Sequence, residues 1–366
     1  MRDYAPEIRS KLADHARFWR GEGPSLILVP AARQDTYDLD GYRDRFADPA
    51  LMFDAEQARA DALKEWPTDG IPTVRPNLGT VFVPSCLGQP YEVRPGAMPW
   101  PGGTLSRDEI RKRAGYDLRT GELMERALAF YRLACDDPTV YAYHADTQGV
   151  FDIAHLLYGE EIFLDIATES EREWVFELME LSLNWYVEAS RILKDAVGEA
   201  ADEMVHGHAT GQGLFFPNAG VRISEDTATL LSPEMIEADL FPYMERSARP
   251  FGGAFVHYCG KHDAMFSMFC RASWCRAIDL GNPESYDPRQ LAELCAASGT
   301  VLYSRLPTGD DEQPLDYVHR IGTLAAETGA RLVLRATAVP ESRTQAEDML
   351  GLFHELTVNR SGDFRE

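Results

Sequence analysis

Two side chains with metal-binding chemistry stand two positions apart near the middle of the chain: His257 and Cys259, in the run Ala254-Phe255-Val256-His257-Tyr258-Cys259-Gly260. The apolar residues ahead of them follow a Gly252-Gly253 turn and read as a β-strand. Side chains alternate along a strand, so both point to one face, about 6.5–7 Å apart along it. Imidazole nitrogen and thiolate sulfur both suit zinc, with bonds of roughly 2.0–2.3 Å. The same spacing also fits a small buried Cys beside a hydrogen-bonded His. Other polar groups gather at the ends of neighbouring runs: His206, His208, Asp226 and Asp279. Each also reads as a solvated loop residue. His155 lies in a helical stretch, and Cys86 in a Pro-rich segment reads as incidental.

Familiar nucleophile and phosphate motifs are missing. No Gly-x-Ser-x-Gly elbow and no His-Glu-x-x-His helix occurs. The glycine-rich run from Gly207 to Gly213 lacks both the Lys-Ser/Thr of a P-loop and dinucleotide-fingerprint spacing. It reads as loop geometry.

The elements that must carry these residues alternate. β-rich runs lie near 25–30, 70–75, 139–144, 202–206, 253–258, 275–279, 300–304 and 331–336. Helical periodicity fills Pro49–Trp66, Glu171–Ala196, Pro233–Ala248, Pro288–Ala296 and Pro314–Gly329. Ser232 and Asp287 each precede a Pro at a first helical position, a helix-start signal. Eight strands alternating with helices predict an α/β protein, a (β/α)8 barrel whose site sits at the C-terminal strand ends. The barrel is expected over about 25–356 of a single domain, 1–366, with an N-terminal extension. Asn77–Gly103, rich in Pro and Gly, predicts a long ordered loop that covers the mouth.

Composition narrows the function. Hydrophobic residues at 45% and charged ones at 26% describe an ordinary globular chain that folds without staples. The 36 Lys and Arg against 59 Asp and Glu leave a net charge of −23. Such a field repels phosphate backbones and anionic lipid, which excludes nucleic acid and membrane surfaces as partners. Six cysteines in 366 residues are too sparse for a disulfide scaffold. With no apolar run of spanning length and no signal-like N-terminus, a reduced cytoplasmic protein is expected.

The segment Val221–Gly260 resembles the uroporphyrinogen decarboxylase superfamily, which holds porphyrinogen decarboxylases and corrinoid-linked methyltransferases. The resemblance rests on Asp226, Leu231-Ser232-Pro233-Glu234, Pro242-Tyr243, Gly252-Gly253 and His257-Tyr258-Cys259-Gly260. A second block, Gly149 to Gly159, and a third, Ala277 to Gly281 followed by Asp287, extend it over about 25–356. The resemblance implies a (β/α)8 barrel with His257 and Cys259 at the mouth of the fifth strand. The decarboxylase signature is largely absent. Asn77 stands where the essential Asp would be, and Arg33-Gln34-Asp35-Thr36-Tyr37 only echoes the Arg-Gln-Ala-Gly-Arg-Tyr loop. Arg335-Ala336-Thr337 replaces the final Gly-His-Gly, and the family's substrate-side Tyr and Ser become His155 and Asp226.

The methyltransferase branch holds zinc with His-x-Cys and a distant Cys. His257 and Cys259 match, but no Cys follows Cys295, so Asp279 is the expected third metal ligand, with His206, His208 and Asp226 as further candidates. The resemblance implies catalytic roles for His257, Asp226 and His155, and substrate contacts from Asn77, Arg33, His206, His208 and Tyr258. The expected reaction is methyl transfer between a small methylated compound, a corrinoid and a thiol or pterin acceptor. No Asp-x-His-x-x-Gly motif occurs, so the corrinoid would arrive on a separate protein, and a second copy of the chain is a further candidate partner. A decarboxylase of a porphyrinogen or small acid, and a silent ligand-binding barrel, remain as alternatives. Because Asn77 cannot hold the charge that stabilises a protonated pyrrole, anaerobic incubation with uroporphyrinogen should leave it intact. Turnover, followed by the spectrum of the oxidised porphyrin products, would refute the methyltransferase expectation.

Overall fold

A computed structural model describes residues 3–31, 41–94, 96–208 and 210–358. Twelve strands occur among them: β1 (Leu26–Leu28), β2 (Ile71–Val74), β3 (Tyr91–Glu92), β4 (Trp100–Pro101), β5 (Tyr141–Ala142), β6 (Glu203–His206), β7 (Gln212–Pro217), β8 (Val221–Ser224), β9 (Ala254–Tyr258), β10 (Cys275–Leu280), β11 (Val301–Ser304) and β12 (Leu332–Arg335). Six of these form one sheet, ordered β1-β12-β11-β10-β9-β8, with every ladder parallel. The first strand in sequence thus pairs with the last, which is how a barrel closes. β2 and β5 form a parallel pair that continues the wall, tied to β1 where the Asp69 amide donates to the Ile27 carbonyl at 3.1 Å. Taken in chain order, β1, β2, β5, β8, β9, β10, β11 and β12 are the eight described strands that make parallel ladders.

The count of eight expected from sequence is reached by a different set. The run at 202–206 is not a wall strand. β6 pairs antiparallel with β7, and β7 pairs antiparallel with β2. The missing wall strand is β8, which the sequence reading took for polar loop because Arg222 and Ser224 interrupt its apolar pattern. Both polar side chains lie in register with inward positions of β9, Phe255 and His257. A strand whose inner face lines a polar mouth loses the alternation signal.

Alternation elsewhere sorts side chains into two apolar clusters. Ile27, Val256, Tyr258, Ile278, Leu302 and Leu334 join the main cluster between strands and helices, which runs in sequence from Tyr4 to Phe353. Leu26, Leu28, Phe255, Ala277, Val301, Tyr303 and Val333 face inward instead. Met204, Leu214 and Phe216 of the hairpin pack among them. Phe255 is the hub: its ring stacks on Phe216 at 4.7 Å and meets Tyr303 edge-on at 5.0 Å. This packed floor leaves the strand ends above it, where the polar residues stand.

Helices follow the sequence expectation closely: Pro49–Lys64, Arg172–Val197, Pro288–Ser298 and Pro314–Thr328. Ser232 and Asp287 cap as expected, accepting from Met235 and from Arg289 and Gln290. The stretch after Ser232 departs, since a π-turn at Ile236–Leu240 interrupts it before Phe241–Ala248. The N-terminal helix Pro6–Trp19 is no loose extension. Its Lys11 ammonium donates to the Thr68 and Gly70 carbonyls, and Trp19 to Phe215.

Asn77–Gly103 also differs from expectation. It contains a helical turn, Phe82–Cys86, and the β3–β4 ribbon. Leu78, Val81, Phe82, Val83, Cys86 and Leu87 are buried in the main core. A segment that contributes this much apolar surface is structural in its first half, whatever its Pro content. Truncating Phe255 to Ala should cost about 3–5 kcal/mol by opening a cavity at the hub. Urea unfolding checks this, as a lower midpoint with an unchanged slope.

Candidate functional site

β9 and β10 are in register, with His257 opposite Asp279. The Asp279 carboxylate is fully buried and lies 2.8 Å from Nδ1 of His257. Its same oxygen, Oδ2, also contacts Nδ1 of His208, whose ring meets that of His257 edge-on at 4.3 Å. Burial acts to raise the Asp279 pKa, but the two imidazoles outweigh it and hold the carboxyl well below the usual range. Burial pushes the pKa of His206 and of His208 well below ordinary histidine, so both rings are neutral at pH 7. His206 is walled by Tyr143 and Phe255 and accepts the His208 amide at 3.0 Å.

With Nδ1–H of His257 donated to Asp279, its Nε2 carries the lone pair. That nitrogen faces Sγ of Cys259 at 3.6 Å and Oδ1 of Asp226 at 3.7 Å. Cys259 is exposed, and its own amide donates to Asp226 at 2.6 Å. The close approach of Gly281 to Cys259 permits this arrangement, because a Cβ there would collide with the sulfur. Burial, then the charges of Asp226 and Asp279, push the Cys259 thiol up to about 12. A thiol facing two carboxylates needs a cation to become a thiolate.

Zinc fits this donor set. Three donor atoms at tetrahedral angles on one zinc stand roughly 3.3–3.8 Å apart, given bonds of about 2.0–2.3 Å. His257 Nε2 lies within that span of both its neighbours. Asp226, His257 and Cys259 form one cluster with all donor atoms within 4.8 Å of one another, and His208, His257 and Asp279 form a second. The two share His257 through opposite ring nitrogens.

Asp226 is held by a buried acid pair. Asp152 accepts the Asp226 and Thr227 amides, each at 2.9 Å. Glu225 accepts the amides of Phe151 and Asp152 at the start of the helix Val150–Tyr158. Burial, then the charge of Asp152, raises Glu225 well above the ordinary range, and burial, then the charge of Asp226, raises Asp152 to about 7. Across the mouth, Arg222 pairs with Asp146 at 3.0 Å.

The structure brings together His257, Cys259, Asp226, Asp279, His208 and His206. Asn77 stands at the mouth end of β2, its side-chain oxygen 3.4 Å from the Arg75 guanidinium. His155 does not reach the cluster: its ring bonds Thr227 and Glu160, each at 3.2 Å. Tyr258 is misassigned as a substrate contact. The alternation that turns His257 and Cys259 inward sends Tyr258 outward, fully buried among the helices with its hydroxyl 3.3 Å from that of Tyr286. Arg33 lies outside the described residues. Sequence reasoning missed Arg222, Asp146, Asp152 and Glu225 as site residues. For Arg222 the signal was available once β8 is recognised as a strand.

Neither a protein-family model nor a curated protein sequence matches the chain. Among solved structures, a methyltransferase from Methanosarcina mazei superposes with a TM-score of 0.67. The two are 13% identical, and the match covers 94% of this chain and 98% of that one. This likeness establishes the barrel fold over nearly the whole of both chains. Among the described residues no helix is long and apolar enough to cross a membrane.

The buried ionisable groups pull stability in opposite directions with pH. Neutral His206, its folded pKa below the unfolded value of about 6.5, disfavours the native state increasingly as pH falls through that value. Glu225, raised above its unfolded value of about 4.3, stabilises at low pH and loses that contribution as pH rises through its folded pKa. Urea midpoints at pH 5.5 and 7.5 should therefore show His206→Gln more costly at pH 7.5, and Glu225→Gln more costly at pH 5.5. Equal penalties at both pH values would contradict these assignments.

Proposed function

We propose that this chain is a cytoplasmic, single-domain methyltransferase that uses a zinc site to prepare a thiol acceptor and receives the methyl group from a corrinoid on a separate protein. The observation that carries the reading is the pair of donor spacings, 3.6 and 3.7 Å, around Nε2 of His257. His257, Cys259 and Asp226 would hold the metal. Three protein donors leave a position open, the pattern of reactive rather than structural zinc. When bound, zinc supplies Lewis acidity that lowers the pKa of a coordinated thiol.

In this reading Asp279 orients rather than binds. Its carboxylate holds Nδ1–H of His257 and so keeps Nε2 free as a donor. Asp226 takes the third-ligand place expected of Asp279, and Asp152 fixes the Asp226 backbone through two amide bonds. His206 and His208, neutral and buried, shape the inner wall. The likeness to the Methanosarcina mazei methyltransferase supports the class of reaction through the shared fold. In this reading a small methylated compound loads the separate corrinoid protein, which then donates the methyl group to the thiol acceptor.

Protein purified without chelators should carry about one zinc per chain by elemental analysis. Cys259→Ala should lose it, and Asp279→Asn should bind it about 10–100-fold more weakly. A metal-free native protein that resists loading with zinc would overturn this reading.

A further inference from the structure

Three of the six cysteines gather at the end of the barrel opposite the mouth. Cys270 lies in the last turn of the helix Asp263–Arg271 that follows β9, and Cys275 opens β10. Cys295 lies in the helix Pro288–Ser298 that follows β10, and the two helices pack side by side. A pair of hydroxyls ties their ends together. Ser298 Oγ lies 3.1 Å from the Cys295 carbonyl and from the Thr300 hydroxyl, which in turn donates to the Cys270 carbonyl at 3.4 Å. Between the helices, the thiols of Cys270 and Cys295 are hydrogen-bonded to each other. Cys275 is close by, but its thiol donates to the Ala277 carbonyl at 3.6 Å.

Cys270 is not sealed off. With Cys275 it lines a polar cavity of about 420 Å³, whose walls carry Arg271, Arg276 and Arg331. Among the described residues no carboxylate lines it, so in a chain of net charge −23 it is a local basic exception. Thiols that react with oxidants sit in electropositive, partly open surroundings of this kind. The pair is also unequal. The hydrogen bond from Cys295, aided by Ser298 and Arg271 against burial, sets Cys270 below the ordinary thiol range. The same bond, together with burial, pushes Cys295 well above it. One thiol is disposed to attack and the other to wait as its partner. The cluster around His257 and Cys259 uses neither.

We propose that Cys270 and Cys295 form a reversible oxidation site for small peroxides, closed as a disulfide between the two helices. The Cys270 thiolate attacks one peroxide oxygen and the O–O bond breaks. The departing hydroxide takes the proton that Cys270 gave up, leaving a sulfenic acid and one water. The Cys295 sulfur then attacks the sulfenic sulfur and the S–O bond breaks. That oxygen leaves as a second water with the Cys295 proton. Two thiols are thereby oxidised to one disulfide, and the peroxide is reduced to two waters. The sulfurs have to close from hydrogen-bond contact to about 2.05 Å. The loop so closed contains all of β10, so the bond ties together the helices on either side of the strand whose Asp279 orients His257. Such a cross-link also restricts the unfolded chain, which stabilises the native one. No metal or substrate enters the proposal, so it stands apart from the methyl-transfer reading.

Brief treatment of the native chain with hydrogen peroxide, then alkylation of the remaining thiols, proteolysis and mass spectrometry, tests it. The expected product is a Cys270 peptide joined to a Cys295 peptide, lighter by two hydrogens and separated again by dithiothreitol. The oxidised protein should unfold at a higher urea concentration than the reduced one, and dithiothreitol should restore the lower midpoint. Cys295→Ala should stop at the sulfenic acid, seen as dimedone addition at Cys270, and Cys275→Ala should still form the bridge. The first result needs no variant, so it decides the matter if a substitution misfolds. Cys259 is more exposed, but its thiol is held up at about 12, so Cys270 should react ahead of it. Oxidation of Cys259 with Cys270 and Cys295 both left as thiols overturns the proposal. A bridge between Cys270 and Cys275, or a Cys270–Cys295 bridge that forms only in urea, overturns it equally.

Discussion

The hydrogen bond from His257 to the buried carboxylate of Asp279 is the constraint on which the site depends. A fully buried carboxylate is expensive, and here two imidazoles and, at longer range, Arg335 offset the cost. Because one imidazole nitrogen is committed to Asp279, the other is committed to the opening, toward Cys259 and Asp226. The ring's tautomer, its orientation and the direction of its lone pair all follow from one pairing between adjacent strands. In-register pairing of β9 with β10 makes that contact possible, so sheet register and site chemistry are a single feature.

The floor of the barrel supports this arrangement from below. Phe255 and His257 share the inner face of β9, with the aromatic residue buried against Phe216 and Tyr303 and the imidazole above it. The β6–β7 hairpin fills interior space with Met204, Leu214 and Phe216 and then delivers His206 and His208 toward the same wall. An apolar floor beneath a polar layer lowers the local dielectric, which strengthens the Asp279 contacts and makes unsatisfied donors such as Tyr303 costly.

Likeness of fold to a methyltransferase at 13% identity places the backbone, and the side chains determine the chemistry. The mouth holds a mixed N, S and O donor cluster of His257, Cys259 and Asp226 beside buried neutral histidines. Asn77, bonded to Arg75, places an amide rather than a carboxylate at the mouth end of β2.

Much was legible in the chain itself because it rests on local rules. Helix starts at Ser232 and Asp287, the helices at Pro49–Lys64 and Pro314–Thr328, and the inward pairing of His257 with Cys259 follow from capping and period-two alternation. Alternation should also have excluded Tyr258, since its neighbours were already turned inward. Other features depend on residues far apart in sequence. β8 hid because Arg222 and Ser224 face a polar mouth, and β6 passed for a wall strand because a hairpin arm and a wall strand share the same composition. Asn77–Gly103 read as a loop, yet its first half is core, since burial depends on what packs against Leu78 and Phe82. Asp152 and Glu225 form a pair with Asp226 only when β8 meets the helix Val150–Tyr158. The sequence alone determined which donors share a strand face. Tertiary structure decided which carboxylate meets which nitrogen, because that choice depends on register between strands and on the dielectric of a mouth that exists only once the barrel closes.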